Sequence, residues 1–184
     1  MTGLPEKIVA IERALRDAGI PHAFGGALAL AWCTRRARGT IDIDINVFAG
    51  VERTTEVFSA LPNAVMWSDV DVARAESEGQ VRLWWEGTPV DVFFNTTGFH
   101  EEVATRIHTE EFAGAEVAFL GCTDLAVFKA FFNRTQDWAD LEQMAEMGTL
   151  DIDRLVGVLV RTVGATDARI ERARSLRRSD RPAG

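Results

Sequence analysis

The order of apolar and polar positions divides the chain into a first part that mixes helices with strands and a second part that is helical. Apolar residues recur at helical spacing over residues 4–18, and Gly19 is placed to end that helix. The same periodicity predicts helices at residues 27–32, 51–61, 99–107, 123–132, 136–147, 151–163 and 165–176. Alternating or β-rich runs predict strands at residues 20–24, 41–48 and 64–67, and hairpins at residues 80–95 and 111–120. The fold class expected from this order is α+β.

The two parts meet near Gly121, where the composition changes from strand-rich to helical. No internal repeat or low-complexity linker separates them, so the two parts are expected to pack together. The chain of 184 residues has room for one domain, or for a small catalytic domain with a helical extension. Its hydrophobic fraction of 47% and charged fraction of 26% are those of a soluble globular protein.

The run Ile41-Asp42-Ile43-Asp44-Ile45 carries the first candidate chemistry. A strand's period of two predicts the isoleucines on one face and both carboxylates on the other, about 6 to 7 Å apart. At an effective dielectric near 20 their repulsion costs roughly 2 to 3 kcal/mol. We therefore expect a positive charge between them, and Mg²⁺, which prefers carboxylate oxygens, is the first candidate. The alternative is a strand that carries two acids on its solvent face without function.

Two other pairs repeat this spacing and act as internal controls. Asp69 and Asp71 lie in a polar segment that is interpreted as turn-like. Asp151 and Asp153 precede a run of apolar positions at helical spacing, where they are interpreted as the N-cap and first-turn acids of a helix. Only the pair in the isoleucine run combines a strand with a glycine pair upstream.

Gly25 and Gly26 stand between a predicted strand and the helix that begins at Ala27. This order suits phosphate binding, because the free amides of a helix N-terminus face an anion and glycine allows its close approach. The alternative is a purely structural turn. Asp91 is a third acid, placed in the otherwise apolar strand of residues 90–94, where it is costly unless paired, metal-bound or on an edge.

The helical part contains a further set of polar candidates. Lys129 is one of two lysines in the chain and stands among apolar residues; it is interpreted either as a side chain that reaches solvent or as a phosphate contact. Arg134 follows, and Asp137 and Asp140 lie three residues apart on one helix face. The two aspartates are either site residues or ordinary first-turn acids of a helix capped by Thr135.

Charge and composition exclude several classes of function. The net charge of −8 argues against nonspecific binding of nucleic acid. Cys33 and Cys122 are far apart and the histidines are scattered, so neither a zinc site nor a disulfide framework is expected. The N-terminal residues have no signal-peptide pattern and no apolar run is long enough for a membrane span, so we expect a cytoplasmic protein without membrane partners.

Together these motifs resemble the DNA-polymerase-β-like nucleotidyltransferase superfamily. The resemblance rests on Gly25-Gly26, on the segment Arg38-x-Thr40-x-Asp42-Ile43-Asp44, and on the acid in Val90-Asp91-Val92. The segment from Asp124 to Leu141, with its lysine, arginine and two aspartates, resembles AbiEii-type toxins of bacterial toxin–antitoxin systems. Gly26 stands where that pattern usually has serine, the gap to the first aspartate is longer, and Gln136 replaces an arginine.

The resemblance implies a nucleotidyltransferase fold, a small mixed sheet flanked by helices, over residues 1–120, and a helical bundle over residues 121–184 packed against it. It implies that Asp42, Asp44 and Asp91 are catalytic and bind Mg²⁺, or Mn²⁺ in its place. The nucleotide-binding residues that it implies are Gly25, Gly26, Ala27, Arg38, Thr40, Lys129 and Arg134, with Asp137 and Asp140 as further members.

The resemblance also implies the reaction and the partners. A nucleoside triphosphate donates its nucleotidyl group to a hydroxyl, and in the toxins the acceptor is the 3′ end of tRNA, which blocks translation. The expected partners are therefore a nucleoside triphosphate, tRNA and a cognate antitoxin. An antibiotic nucleotidyltransferase of the aminoglycoside or lincosamide kind is the alternative enzyme, since an acidic chain suits a cationic drug. A non-catalytic, antitoxin-like binding module is the alternative outside enzymes.

Of Trp84 and Trp85, one is expected in the core and the other partly exposed, where it can stack on a base.

Overall fold

The fold is described by a computed structural model that covers residues 2–36 and 39–177. Within these ranges the chain forms nine α-helices, one 3₁₀ helix and six strands. The helices are α1 (Leu4–Asp17), α2 (Gly26–Thr34), α3 (Thr54–Ala60), α4 (Asp69–Glu78), α5 (Gly98–Ala104), α6 (Cys122–Phe132), α7 (Thr135–Glu146), α8 (Ile152–Val163) and α9 (Ala168–Ser175), with the 3₁₀ helix at Val51–Arg53. The strands are β1 (His22–Phe24), β2 (Ile43–Gly50), β3 (Gln80–Trp85), β4 (Thr88–Asn95), β5 (His108–Phe112) and β6 (Ala115–Phe119). The α+β class predicted from the sequence is confirmed.

The chain divides into two compact units. The first consists of Met1–Leu28 and Arg38–Leu120, and the second of Ala29–Ala37 and Gly121–Gly184. The first unit contains the whole sheet, and the second contains α6 to α9 together with the later turns of α2. Among the described residues, no helix is both long enough and apolar enough to cross a membrane.

The sheet of the first unit is mixed, with the strand order β3-β4-β2-β1-β6-β5. Its central strand β2 runs parallel to β4 and antiparallel to β1, while β1 runs parallel to β6. Isoleucine and valine alternate along β2 and β4 and are buried, because residues two apart share one face of a strand. The intervening residues of β2 and β4 therefore face the other side of the sheet, where the candidate site lies.

The hairpin of β3 and β4 turns at Glu86 and Gly87, whose φ angles of 47° and 82° give a two-residue turn of the primed type that suits the twist of the strands. Lys7 of α1 holds this hairpin, because its buried Nζ donates to the carbonyl of Trp85 at 2.8 Å and to the hydroxyl of Thr88 at 2.9 Å. The turn and the lysine set the register in which the two strands face each other.

A buried polar pair also stabilises the first unit. The Nε2 atom of His22 lies 3.0 Å from a carboxylate oxygen of Glu12, and that oxygen also accepts from the backbone N–H of Ala118 at 3.2 Å. Burial by itself raises the pKa of Glu12, but these two hydrogen bonds and the charges of His22 and Arg16 outweigh it, so the pKa is lowered. Glu12 thereby links α1 to β1 and β6.

The second unit contains a disulfide that the sequence reasoning did not expect. Cys33 in the last turn of α2 and Cys122 at the start of α6 are bonded, with their Cα atoms 5.5 Å apart. No local sequence pattern indicates this pairing, because 89 positions separate the two residues. The hydroxyl of Thr149 adds a hydrogen bond of 2.8 Å to the carbonyl of Cys33. The expectation that no disulfide framework is present is therefore wrong.

Strand β2 begins at Ile43, two residues later than predicted, and Ile41 is 74% exposed instead of buried. The ladder with β4 starts at the pair Ile43 and Val90. The N–H of Asp42 is directed instead to the Thr40 hydroxyl at 3.2 Å, which takes that residue out of the ladder. Asp42 therefore lies on the loop that leads into β2.

The polar segment after Ser68 is a helix, α4, and the turn-like interpretation of Asp69 and Asp71 is wrong. Asp71 accepts from the N–H of Ser68 at 2.9 Å, which caps the first turn, and Gly79 ends the helix with a φ of 71°. The sequence contained the capping pattern, but the weak apolar periodicity of this helix concealed it. In the second unit the N-cap of α7 is Arg134, one residue before the predicted Thr135.

Candidate active site

The sheet brings the three predicted catalytic aspartates of the first unit close together. Asp44 and Asp91 are direct partners in the parallel ladder of β2 and β4, so their Cα atoms lie on neighbouring strands about 4.8 Å apart. Both side chains point away from the buried isoleucine and valine face. Asp42 precedes β2 on the loop beside them. The sequence predicted the spacing of the first two acids, and the register adds the third.

Arg82 of β3 lies between two of these carboxylates. Its Nε and Nη2 atoms donate to the two oxygens of Asp91, each at 2.7 Å, and Nη2 lies 3.6 Å from an oxygen of Asp42. The hydrogen bonds and charge of Asp91 raise the pKa of Arg82, with smaller contributions from Asp42 and Asp44. The arginine thus supplies part of the positive charge that the repelling aspartates require.

Sequence reasoning missed Arg82, although a signal for it existed. In the hairpin, Trp85 pairs with Thr88 across the two-residue turn, so the numbers of paired residues sum to 173. The partner of Asp91 under this rule is residue 82, which is an arginine. Recognising Glu86-Gly87 as a two-residue turn was therefore enough to predict the contact.

The glycine pair lies directly against this group. The N–H of Gly25 donates to the carbonyl of Asp44 at 2.9 Å. A Cβ at Gly25 would lie 2.8 Å from the Nδ2 atom of Asn46, and a Cβ at Gly26 would overlap the carboxylate of Asp44. Gly26 also has a φ of +52°, which favours glycine. Gly26 therefore favours glycine for both space and backbone conformation, whereas a side chain at Gly25 would displace the end of the Asn46 side chain.

Helix α2 starts immediately at this turn. Gly26 is its first residue and Ala27 its second, so their amides belong to the turn that has no carbonyl acceptor within the helix. Such amides favour an anion. The N–H of Gly25 is engaged with Asp44, so of the three predicted residues Gly26 and Ala27 are the ones whose amides begin the helix.

The loop before β2 shapes the approach to Asp42. The hydroxyl of Thr40 accepts from the N–H of Asp42 at 3.2 Å and lies 3.3 Å from the carbonyl of the same residue. An open pocket of about 400 Å³ is lined by Gly39, Thr40, Ile41 and Asp42. Thr40 thus positions Asp42 through the backbone. Arg38, another predicted nucleotide-binding residue, lies outside the described residues.

Trp84 stands on the same face of β3 as Arg82, two residues further along the strand, and is 48% exposed. Trp85 faces the other side and is buried at 6% exposure. The prediction that one tryptophan is core and the other partly exposed is confirmed. An aromatic ring on the face that carries the aspartates offers a surface for stacking.

The predicted site residues of the helical part form a cluster of their own in the second unit. Lys129 is buried, and its Nζ lies 2.7 Å from an oxygen of Asp140 and 3.6 Å from one of Asp137. Arg134 donates to Asp137 at 2.7 Å through Nε, and Gln136 donates to Asp140 at 3.1 Å. Burial by itself raises the pKa of Asp137, but Arg134 and Lys129 outweigh it and lower the pKa. A nucleotide-binding role for Lys129 and Arg134 stays a prediction.

The donor chemistry of the aspartate group fits a divalent cation, since carboxylate oxygens are the ligands of Mg²⁺. In the arrangement seen here, however, Arg82 takes both oxygens of Asp91. Among the described residues, no three His, Cys, Asp or Glu side chains are grouped as a metal ion would need them. Asp42, Asp44 and Asp91 therefore have the right ligand type, and their grouping as ligands requires a change at Arg82.

No protein-family model and no curated protein matches the chain. Among solved structures, two of the antibiotic-resistance factor ANT(2'')-Ia are similar, each with a TM-score of 0.54 and 16% identity. The solution structure is matched over 95% of this chain and 89% of that chain. The crystal structure in complex with adenylyl-2''-tobramycin is matched over 97% of both chains. The chain therefore has the fold of these nucleotidyltransferases, as the resemblance implied.

Proposed function

We propose that this chain is a metal-dependent nucleotidyltransferase, which transfers a nucleotidyl group from a nucleoside triphosphate to a hydroxyl and releases pyrophosphate. The observation that carries the proposal is the placement of Asp44 and Asp91 as direct neighbours, with Asp42 beside them and a glycine turn against Asp44. Three carboxylates are costly to place together for structural reasons alone, because they repel one another. A site for a cation and a phosphate explains why they are grouped.

Each residue has a role in this reaction. Asp42, Asp44 and Asp91 hold Mg²⁺ or Mn²⁺, and the bound ion supplies charge stabilisation for the triphosphate and for the in-line displacement. Asp91 also accepts the proton of the attacking hydroxyl. The hydroxyl oxygen forms a bond to the α-phosphorus while the bond from that phosphorus to the bridging oxygen breaks. The electron pair of the broken bond leaves with pyrophosphate.

The start of α2 completes the binding of the triphosphate. Its first amides, at Gly26 and Ala27, donate to phosphate oxygens, and the absence of a side chain at Gly26 allows their close approach. Thr40 positions Asp42 through the loop backbone. Phosphate contacts by Lys129 and Arg134, and orientation of the nucleotide or the acceptor by Arg38, stay predictions of the resemblance.

The acceptor that we place first is a hydroxyl of a cationic small molecule such as an aminoglycoside. The net charge of −8 supports it, because an acidic surface attracts a cationic acceptor and repels RNA. The similarity to ANT(2'')-Ia, whose structure contains adenylyl-2''-tobramycin, supports it as well. Trp84 offers an apolar surface on the same face as the aspartates.

The second candidate is the 3′ end of tRNA, which makes the chain a cytoplasmic toxin with a cognate antitoxin. The segment from Asp124 to Leu141 favours it, because its pattern resembles AbiEii-type toxins. The contacts of this segment weaken the argument for tRNA, because Lys129 forms ion pairs with Asp140 and Asp137 within the second unit. A pattern that builds a buried ion cluster does not by itself indicate an RNA acceptor.

One labelling experiment tests the function and the choice of acceptor. The purified protein is incubated with Mg²⁺ and each α-labelled nucleoside triphosphate, together with either an aminoglycoside panel or total tRNA. We expect label on an aminoglycoside, and we expect Asp44→Asn to lower the rate about a hundredfold or more. Asp69→Asn is the matched control, because Asp69 is an exposed aspartate of the second Asp-x-Asp pair in the first unit and lies in the first turn of α4. Label on tRNA would establish the second candidate, and no transfer to either acceptor would favour a binding module.

A further inference from the structure

Arg82 and a divalent cation require the same oxygens. Both carboxylate oxygens of Asp91 are taken by the fork of the guanidinium, at 2.7 Å each, and the same Nη2 atom approaches Asp42 at 3.6 Å. A bidentate contact of this kind leaves the carboxylate few directions in which to meet a metal ion. The cation cannot use Asp91 as a full ligand while the fork stays in place.

The Arg82 side chain is exposed at one edge of the sheet, which gives the guanidinium room to turn away from Asp91. β3 is one of the two edge strands of the sheet, and the Arg82 side chain is 48% exposed. The strand is anchored by other residues, since Val81 and Leu83 are buried on the opposite face. Rotation of one exposed side chain releases Asp91 and Asp42 while the ladder of β3 and β4 is retained.

We infer that Arg82 is an exchangeable counter-ion: it pairs with Asp91 and Asp42 before the cation arrives, and it then moves to a phosphate of the incoming nucleotide. This inference rests on the proposed function, because it assumes that the aspartates bind a metal ion. Chemistry favours the exchange, since a guanidinium binds phosphate with the same two-pronged geometry as carboxylate. Arg82 is thus a positioning residue for the aspartates and a binding residue for the nucleotide.

The first test follows the Arg82 side chain directly by NMR while Mg²⁺ alone is added to the whole protein. The ¹⁵N Nε–H signal of Arg82 is identified by its loss in Arg82→Lys. We expect Mg²⁺ to move this signal toward the position that it has in Asp91→Asn, where the fork has lost its bidentate carboxylate partner. The backbone amide signals of Gly25 and Gly26 report in the same spectra whether the cation has bound near Asp44.

The outcomes separate the inference from the function on which it rests. If Mg²⁺ moves the glycine amide signals and leaves the Arg82 signal unchanged, the exchange is overturned while the metal site stands. If Mg²⁺ moves neither set of signals, even at tens of millimolar and with a nucleoside triphosphate present, the proposed function itself is overturned. Movement of both sets in parallel supports the exchange.

The second test measures the binding of Mn²⁺ and of a nucleoside triphosphate to Arg82→Gln. We expect the variant to bind Mn²⁺ alone more tightly than the wild type, because Asp91 is no longer occupied. We expect the same variant to bind a nucleoside triphosphate about tenfold more weakly at saturating Mg²⁺, because a charge-assisted contact to phosphate is lost. Weaker Mn²⁺ binding would mean that Arg82 orients the aspartates permanently, and unchanged nucleotide binding would mean that it never reaches phosphate. Either result overturns the inference.

Discussion

The close approach of Gly26 to Asp44 makes a quantitative prediction for Gly26→Ala. The backbone at this position has a φ of +52°, and a non-glycine residue in that region costs about 1–2 kcal/mol. The added Cβ would also lie 3.0 Å from the Cβ of Asp44 and overlap its carboxylate. Asp44 must then leave its rotamer, which costs a further 0.5–1.5 kcal/mol or so. The expected loss in the free energy of unfolding is about 1.5–3.5 kcal/mol.

Gly19→Ala is the matched control. Gly19 has a φ of +67°, and no atom lies within 4 Å of the position that a Cβ would take there, so this variant carries the backbone cost without the clash. Urea denaturation of both variants isolates the second contribution, and we expect Gly26→Ala to be the less stable by about 0.5–1.5 kcal/mol. Only Gly26→Ala should also weaken Mn²⁺ binding, because it displaces a proposed ligand.

Equal unfolding free energies and equal Mn²⁺ affinities for the two variants would refute this reasoning. They would mean that Asp44 does not lie against the glycine turn in solution. Gly26→Ser, which restores the residue usual in the resembling superfamily, is expected to behave like Gly26→Ala, because a serine brings the same Cβ to the same carboxylate. The departure at this position is therefore required by the local packing.

Three further predictions concern stability. Replacing Cys33 and Cys122 together by alanine is expected to lower the free energy of unfolding, measured by urea denaturation, by about 2–5 kcal/mol. The chain-entropy relation for a separation of 89 residues gives about 4.6 kcal/mol. Wild-type unfolding curves that do not change when a reductant is added would contradict the disulfide. The pKa of Glu12 is lowered in the folded state from its usual value of 4.5, so the stability that Glu12 contributes is present above pH 4.5 and is lost as the pH falls through the folded pKa. Glu12→Gln should therefore flatten the acid side of the curve of unfolding free energy against pH. An unchanged curve would show that Glu12 is not the source of the acid sensitivity. Lys129→Met should cost about 3–5 kcal/mol because it removes the buried cation that lies between Asp140 and Asp137. Arg134→Met should cost about 1 kcal/mol or less because the Arg134 side chain is 69% exposed; equal losses in the two variants would contradict the assigned burial.

Much of the fold follows from short-range patterns that the sequence displays. The four helices of the second unit were predicted because their apolar positions repeat at helical spacing. The two hairpins were predicted because β-rich runs flank short turns, and Ala113 and Gly114 do have positive φ angles. Helix α4 was missed because prediction depended on apolar periodicity, which is weak in this helix. Of its residues only Ala75 is buried.

The candidate site was predicted in part. Alternation along one strand predicted that Asp44 would face away from the buried isoleucines, and that a positive charge would be needed beside it. The sequence reasoning missed that Arg82 supplies part of this charge, because the contact crosses from β3 to β4 and follows only once Glu86-Gly87 is recognised as a two-residue turn. Nor did it indicate that Ile41 is exposed, because that depends on where the ladder with Val90 begins.

The sequence by itself determined the periodicity of the helices and strands and the three aspartates, because side-chain direction repeats every 3.6 or 2.0 residues regardless of the neighbours. Only the tertiary structure decided that Asp91 is the strand neighbour of Asp44 and that Cys33 meets Cys122. These contacts join residues far apart in the chain. They depend on strand order and helix packing, which result from the burial of the whole apolar surface and leave no local pattern of their own.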